Sequence, residues 1–454
     1  MKRYSTILFI AMVLMTMSCK KFLDEKPTNS LAQPQTLSDL QALLDDSQSM
    51  NQLRTSAMAE GAADDAFLPP TTYSTFGDFE KSVYTWNYIG TYFSNDWSAG
   101  YLPVFNANYC LDVVSTIPVT PANQADVNNV IGSAHFYRAY NFLSLACTFT
   151  KAYDAATAAT DLGLPLRVQS DFNKQSVRSN VQQTYDQVIS DAQAAIPLLP
   201  ALPPHPMRPS KAAAYGLLSR VYLYMRKYDE AYKYADSALK IKSDLMNYNG
   251  DTEVGNLTGT ALPFKQFNKE TIFYTEHSLN TGLVNPGSAR IDTVLYASYA
   301  ANDQRKKGFF TPADGYQRFK GSYASGTRLF TGIATDELYL IRAECSARKN
   351  DKTGALADLN TLLAKRYVTG TAAVTATDAN DALQKILVER RKELLMRGNR
   401  WIDLKRFNKE GANITLTRKA EGKTYTLSPN SQKYALLIPL DVINISGMPQ
   451  NPQQ

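Results

Sequence analysis

Apolar positions begin to recur at helical spacing near Leu37, in L-S-D-L-Q-A-L-L-D-D. Between Asp64 and Trp97 that spacing dissolves. The stretch D-D-A-F-L-P-P-T-T-Y-S-T-F-G-D-F-E-K-S-V-Y-T-W-N-Y alternates turn formers with aromatics and reads as irregular structure. A helix resumes at D-W-S-A-G-Y-L-P-V-F-N-A-N-Y-C-L-D-V-V, and Pro103 has to sit in its first turns or kink it, because proline lacks the amide hydrogen that a helix interior uses.

Further along, three segments superimpose as a repeat. In A-A-A-Y-G-L-L-S-R-V-Y-L-Y-M-R-K-Y-D-E-A-Y-K-Y-A-D-S-A-L, residues Tyr215, Leu218, Ser219, Tyr222, Tyr228, Ala231, Ala235 and Ala238 follow the large and small alternation of a tetratricopeptide repeat. Tyr339, Ala343, Ala355, Leu359 and Leu362 repeat most of that spacing, with a turn at Asn350 to Gly354. A further candidate starts at Ala134 to Cys147 and finds its second helix at Val181 to Leu199, and a fourth pairs Ala382 to Met396 with Arg400 to Phe407. Alanine or serine at a crossing point lets two helices approach closely, and stacked hairpins bury faces that one hairpin alone would expose. The expectation is a mainly α protein of tetratricopeptide-like hairpins, at about 134–199, 210–241, 336–366 and 380–408, forming a right-handed scaffold. Residues 37–454 then make one domain, although length alone would suggest about three. Segments 64–97 and 242–332 lack helical periodicity, and an irregular passage as long as the second is usually functional. The prolines between Pro197 and Pro209 read as a stiff connector.

The N-terminus changes the picture of where such a scaffold works. Lys2 and Arg3 precede an apolar run from Ile7 to Met17, then Ser18 and Cys19: the layout of a secretory signal peptide over 1–18. That run is too short to span a bilayer. Cleavage before Cys19 would expose its thiol, and L-M-T-M-S-C resembles the lipobox of bacterial lipoproteins, in which that thiol carries diacylglycerol and residues 19–36 form the tether. Cys110, Cys147 and Cys345 each fall in helically spaced sequence and read as buried, unpaired packing residues. A formal charge of +6 without clusters of lysine, arginine and aromatics argues against a nucleic-acid partner.

No motif nominates a catalyst, a metal or a cofactor. The chain has 3 histidines and no C-x-x-C, H-E-x-x-H, G-x-S-x-G or G-x-x-x-x-G-K-[ST]. Ser346-Ala-Arg-Lys349 and Lys352-Thr-Gly354 imitate two motifs of penicillin-binding enzymes, yet they share one expected helical hairpin. Asn247, Asn249, Asp251 and Glu253 open like a calcium loop, but Thr252 stands where glycine is required and Thr258 where the final glutamate belongs, so a turn is expected. Glu389 and Glu393 lie one helical turn apart among Arg390, Arg391, Arg397 and Arg400, a pattern that reads as local ion pairing and helix packing.

Several stretches together resemble the SusD/RagB family of outer-membrane lipoproteins of Bacteroidetes. They are C-K-K-F-L-D-E-K-P, W-S-A-G-Y-L-P-V-F-N-A-N, F-Y-R-A-Y-N-F-L-S-L with G-L-P-L, A-A-A-Y-G-L-L-S-R-V-Y-L-Y, L-Y-L-I-R-A-E, E-R-R-K-E-L-L-M-R-G-N-R-W-I-D-L-K-R, and the closing I-P-L-D-V-I and Q-N-P. The resemblance implies a helical fold with an irregular loop-rich subdomain and a lipid-anchored place on the outer membrane facing the cell exterior. It also implies a SusC-like TonB-dependent transporter as partner and non-catalytic capture of an oligosaccharide or, as in RagB-like members, a peptide. A tetratricopeptide-type protein-interaction scaffold is the alternative from a different class. Flat aromatics cover the C–H face of a sugar while polar groups bond its hydroxyls. The candidates for ligand contact are Tyr73, Phe76, Trp86 and Tyr88 in the first irregular stretch and Tyr299, Tyr316 and Phe319 in the second, with Cys19 for lipid attachment. Trp97 and Trp401 belong to the helical motifs and read as structural.

Overall fold

The computed structural model describes residues 34–90, 95–278, 282–324 and 326–453. The signal segment, Cys19 and most of the tether lie outside the described residues. Among the described residues ten helices of nine residues or more carry the architecture, α1 (Leu37–Asp45), α2 (Asp96–Val114), α3 (Gln124–Phe149), α4 (Val181–Ala195), α5 (Lys211–Tyr224), α6 (Tyr228–Leu239), α7 (Thr335–Arg348), α8 (Lys352–Leu363), α9 (Ala379–Glu393) and α10 (Arg400–Lys409), and the short α11 (Leu440–Ser446) follows them. Local chemistry sets their ends. Asn95 with Ser98 and Asn180 with Gln183 form capping boxes for α2 and α4, while Ser210 and Asp378 accept from the first-turn amides of α5 and α9. Pro103 lies in the interior of α2, and the helix runs on through it.

From α2 to α9 each helix packs on the next, so α3–α4, α5–α6 and α7–α8 are successive antiparallel hairpins, with α6 against α7 joining two of them. At the centre of α5–α6, Ser219, Ala231, Ala235 and Ala238 are fully buried, and Tyr222 and Tyr234 stack in parallel with centroids 5.5 Å apart. The first of these hairpins begins earlier than its repeat spacing indicated, because α3 extends back to Gln124. The expected fourth hairpin does not close on itself. Helix α9 lies against α7 and α8, whereas α10 turns away to pack on α3, α5 and the short helix Met58–Ala62.

Among the described residues there are five two-stranded pairings, including β1 (Ala66–Phe67) with β5 (Arg290–Ile291), β2 (Leu162–Pro165) with β3 (Arg178–Asn180), β4 (Thr271–Phe273) with β8 (Ile333–Ala334), and β6 (Phe310–Ala313) with β7 (Tyr316–Phe319). The two irregular segments meet through the first of these pairings. The early segment nevertheless holds two short helices, Pro70–Tyr73 and Asp78–Tyr84, each a single turn or two and so invisible to a periodicity argument. Strand β4 docks the later segment onto the scaffold: Phe273 sits edge-on to Phe136 and Tyr140 of α3 at 4.7 and 5.1 Å. Gly216 on α5 permits the same docking, since a Cβ there would lie 2.6 Å from Ile333 of β8.

The cysteines Cys110, Cys147 and Cys345 are free, and burial pushes the Cys110 thiol up to about 12 and that of Cys147 to about 11. They are packing groups, not nucleophiles. The calcium-like stretch is a turn in which Asp251 is bonded to Lys269 at 2.7 Å.

Candidate functional site

Four of the seven aromatic candidates are core residues. Trp86 is 1% exposed; its indole N–H donates to the Ala62 carbonyl at 3.0 Å and the Arg418 guanidinium lies 5.0 Å from its ring. Tyr299 is completely buried and donates its hydroxyl to the Lys392 carbonyl at 2.8 Å. Phe319 packs edge-on to Phe309 at 5.7 Å, and Tyr73 packs against Tyr84 at 5.5 Å. None of these rings offers a free face to a soluble ligand, which corrects the sequence expectation for Tyr73, Trp86, Tyr299 and Phe319. The reason is long-range: residues such as Ala62, Lys392 and Arg418, distant in sequence, close over them. Phe76 and Tyr88 are half-buried, and Phe76 approaches Gly282.

Tyr316 is different. Strands β6 and β7 pair from Phe310↔Phe319 to Ala313↔Tyr316, leaving Asp314-Gly315 as a two-residue turn with φ of 50° and 79°. Such a turn needs positive φ at both central residues, which Asp-Gly supplies at low cost. It sets Tyr316 at the hairpin tip, 40% exposed, with its ring edge-on to Phe67 of β1 at 5.0 Å and 81°. Beside it Arg290, buried on β5, donates to the Gly287 and Ala289 carbonyls and, at 2.6 Å, to the exposed carboxylate of Asp314. Gln317 and Arg318 follow on β7, Arg318 exposed. The assembly is an aromatic ring braced from behind, with a carboxylate held in place by a buried guanidinium and further polar groups alongside. It can cover an apolar face and bond the hydroxyls around it.

The later irregular segment also contributes Glu270, Asp303 and Arg305 to a buried ionic network. Arg366 donates to Glu393 at 2.6 Å and to both oxygens of Glu270 at 2.7 and 3.0 Å, while Arg305 donates to Asp303, Glu389 and Glu393. Arg397 holds Asp336 at 2.8 Å. Glu270, Asp336 and Glu393 converge closely enough to suggest metal ligands, but the guanidinium groups of Arg366, Arg305 and Arg397 already supply the positive charge there. Glu389 and Glu393 are thus paired across the fold, to Arg305 and Arg366, with Lys392 the one local partner of Glu389; this corrects the expected pairing with the arginines beside them, since Arg390, Arg391, Arg397 and Arg400 bind Asp403, Asp65, Asp336 and Asp64 instead. The sequence offered no signal for Arg305 or Arg366 in this role.

A second buried carboxylate makes a pH test possible. Glu60 accepts from the Gly398 amide at 2.9 Å, yet burial, with Asp65 nearby, pushes its carboxyl up to about 8. Ionisation within the fold is therefore opposed between its ordinary value of 4.5 and about 8, and its contribution to stability is lost as pH rises through that window. Glu60→Gln is expected to flatten the fall in urea midpoint between those pH values relative to the parent; parallel profiles would show that Glu60 does not titrate there.

Among the described residues no helix is long and apolar enough to cross a membrane. Residues 21–223 match the family model described as starch-binding associating with outer membrane, and residues 330–436 match that of the SusD family. The chain belongs to the SusD/RagB family. A SusD superfamily protein from Bacteroides thetaiotaomicron VPI-5482 is 21% identical and superposes with a TM-score of 0.75 over 92% of this chain and 100% of its own. A putative sugar-binding protein from Bacteroides vulgatus ATCC 8482, also 21% identical, gives 0.70 over 92% and 98%. A laminarin-binding SusD-like protein gives 0.64 at 18% identity over 91% and 97%. Among curated proteins the sequence has no match. These likenesses establish the SusD fold, with its tetratricopeptide-like helical scaffold. The hairpin that carries Tyr316 lies between the two matched regions, in the part of this SusD-family chain that neither family model covers.

Proposed function

We propose that this protein is a non-catalytic, lipid-anchored nutrient-binding protein of the outer membrane, which captures an oligosaccharide at the cell surface and passes it to a SusC-like TonB-dependent transporter. The observation that carries the reading is the exposed Tyr316 ring, braced on Phe67 and flanked by the Arg290–Asp314 pair. Family membership supports it, as do the sugar and laminarin binding named for two structural relatives. Binding rather than turnover fits the carboxylates Glu389 and Glu393, which are engaged by arginine or lysine and are not open to a substrate.

Covering about 60 Å² of ring face contributes on the order of 1.5 kcal/mol, roughly a tenfold change in affinity. Tyr316→Ala is accordingly expected to weaken binding of the cognate glycan about tenfold, found by calorimetry across a panel of β- and α-glucan oligosaccharides, with the unfolding midpoint unchanged. Unaltered affinity would remove Tyr316 from the site, and binding of peptides in place of every glycan would favour the peptide-capturing alternative.

A further inference from the structure

The loop from Leu166 to Val177, between β2 and β3, presents large apolar side chains to solvent: Phe172 is 80% exposed and Val177 72% exposed. Ile445 of α11 is 88% exposed, and Gln175 of the loop bonds the neighbouring Ser446 carbonyl at 3.5 Å, which sets the two elements side by side. The loop is held from within. Arg167 donates to the Asp171 and Lys174 carbonyls and to the Ser176 hydroxyl, and Asp171 accepts from the Asn173 amide. It is also fastened to the scaffold, with Asn108 of α2 donating to the Arg167 carbonyl at 2.7 Å and Asp112 accepting from both the amide and the hydroxyl of Ser170. A cross-braced loop that projects a phenylalanine into water is arranged for an apolar partner, since exposed apolar clusters of this kind mark contact surfaces.

The chain's own path says which partner. Tyr109 of α2, adjacent to Asn108 and within one turn of Asp112, donates its hydroxyl to the Pro34 carbonyl at 3.0 Å. The described chain therefore enters the fold against α2, the same helix that holds this loop. Fourteen residues lie between Cys19 and Pro34, and the fifteen steps they make span at most about 50 Å even when fully extended. We infer that Phe172, Val177 and Ile445 form a membrane-contacting face that dips into the lipid surface to which Cys19 is anchored, and so fixes the orientation of the protein on the bilayer. The inference rests on the reading of Cys19 as the lipid attachment. The two chains of a diacylglycerol hold the protein on the bilayer but leave it free to rotate about the attachment, and a second, protein-borne contact restricts that rotation.

The test uses the full acylated protein reconstituted in phosphatidylethanolamine–phosphatidylglycerol vesicles. Phe172→Trp is expected to show blue-shifted emission, beyond that of the buried native tryptophans, and quenching by lipids brominated on their acyl chains. In the unacylated Cys19→Ser protein, Phe172→Glu with Val177→Glu is expected to lower vesicle partitioning at least tenfold while leaving glycan affinity unchanged. Absence of quenching in the acylated protein overturns the inference. So does unchanged vesicle partitioning of the glutamate variant accompanied by weakened association with the partner transporter, which would assign the face to protein. Fatty-acid labelling of the parent distinguishes the two levels: an unlabelled chain sinks the anchor reading, whereas a labelled chain without quenching sinks the membrane face alone.

Discussion

Arg366→Met is expected to destabilise the protein by about 3–5 kcal/mol near neutral pH, the usual cost of removing one partner from a buried ion pair. Arg366 is fully buried, and its guanidinium spans three chain segments: Glu393 at the end of α9, Glu270 just before β4, and the Met246 carbonyl at 2.7 Å. Methionine fills much of the volume but leaves two buried carboxylates short of positive charge. Glu393 keeps Arg305, while Glu270 keeps the Tyr323 hydroxyl and the Met246 amide. Burial already pushes Glu270 up to about 7, and loss of Arg366 raises it further. A carboxyl whose pKa is raised in the fold is tolerated when protonated and opposed when ionised, so the deficit of the variant shrinks as pH falls below that value. Urea titrations at pH 5 and pH 8 should therefore show a larger gap between parent and variant at the higher pH, and adding Glu270→Gln should recover part of it. A deficit equal at both pH values would mean that the loss comes from packing and not from uncompensated charge.

The second large effect is expected at Phe136→Ala, at about 3–5 kcal/mol for a large aromatic removed from a close-packed core. Phe136 is fully buried on α3 and meets Phe273 of β4 edge to face while stacking against Tyr140 at 6.0 Å. These rings are where the irregular segment is joined to the helical scaffold. If the two parts share one core, calorimetry of Phe136→Ala should give a single transition displaced to lower temperature. Two separated transitions, with the helical part unaffected, would show that the irregular segment folds on its own and that the aromatic junction couples nothing.

The candidate site shows why reading aromatics from sequence has a limit. Tyr316 and Phe319 are three residues apart on one strand, yet Tyr316 is at the hairpin tip and exposed while Phe319 is covered by Phe309. Composition treats them alike; position relative to the Asp314-Gly315 turn and to β1 separates them. Trp86 looked equally suited to a ligand surface, but Arg418, far along the chain, reaches back to the Tyr84, Gly61 and Ala63 carbonyls and seals the pocket around it. Glu389 and Glu393 were legible as members of ion pairs. Their strongest partners on Arg305 and Arg366 were not, because a guanidinium contributed from another segment leaves no periodic trace.

What the amino-acid order determined by itself is what depends on neighbours three or four residues apart: the longer helices of the scaffold and the small residues that let α5 and α6 approach. These are short-range consequences of backbone geometry and side-chain size, so they survive in one dimension. Tertiary structure alone decided that α10 leaves α9 for α3 and α5, that four of the loop tyrosines, tryptophans and phenylalanines became core, and that Tyr316 and Phe172 remained in water. Exposure is a property of what arrives from elsewhere in the chain, and only the packed fold brings those distant segments together.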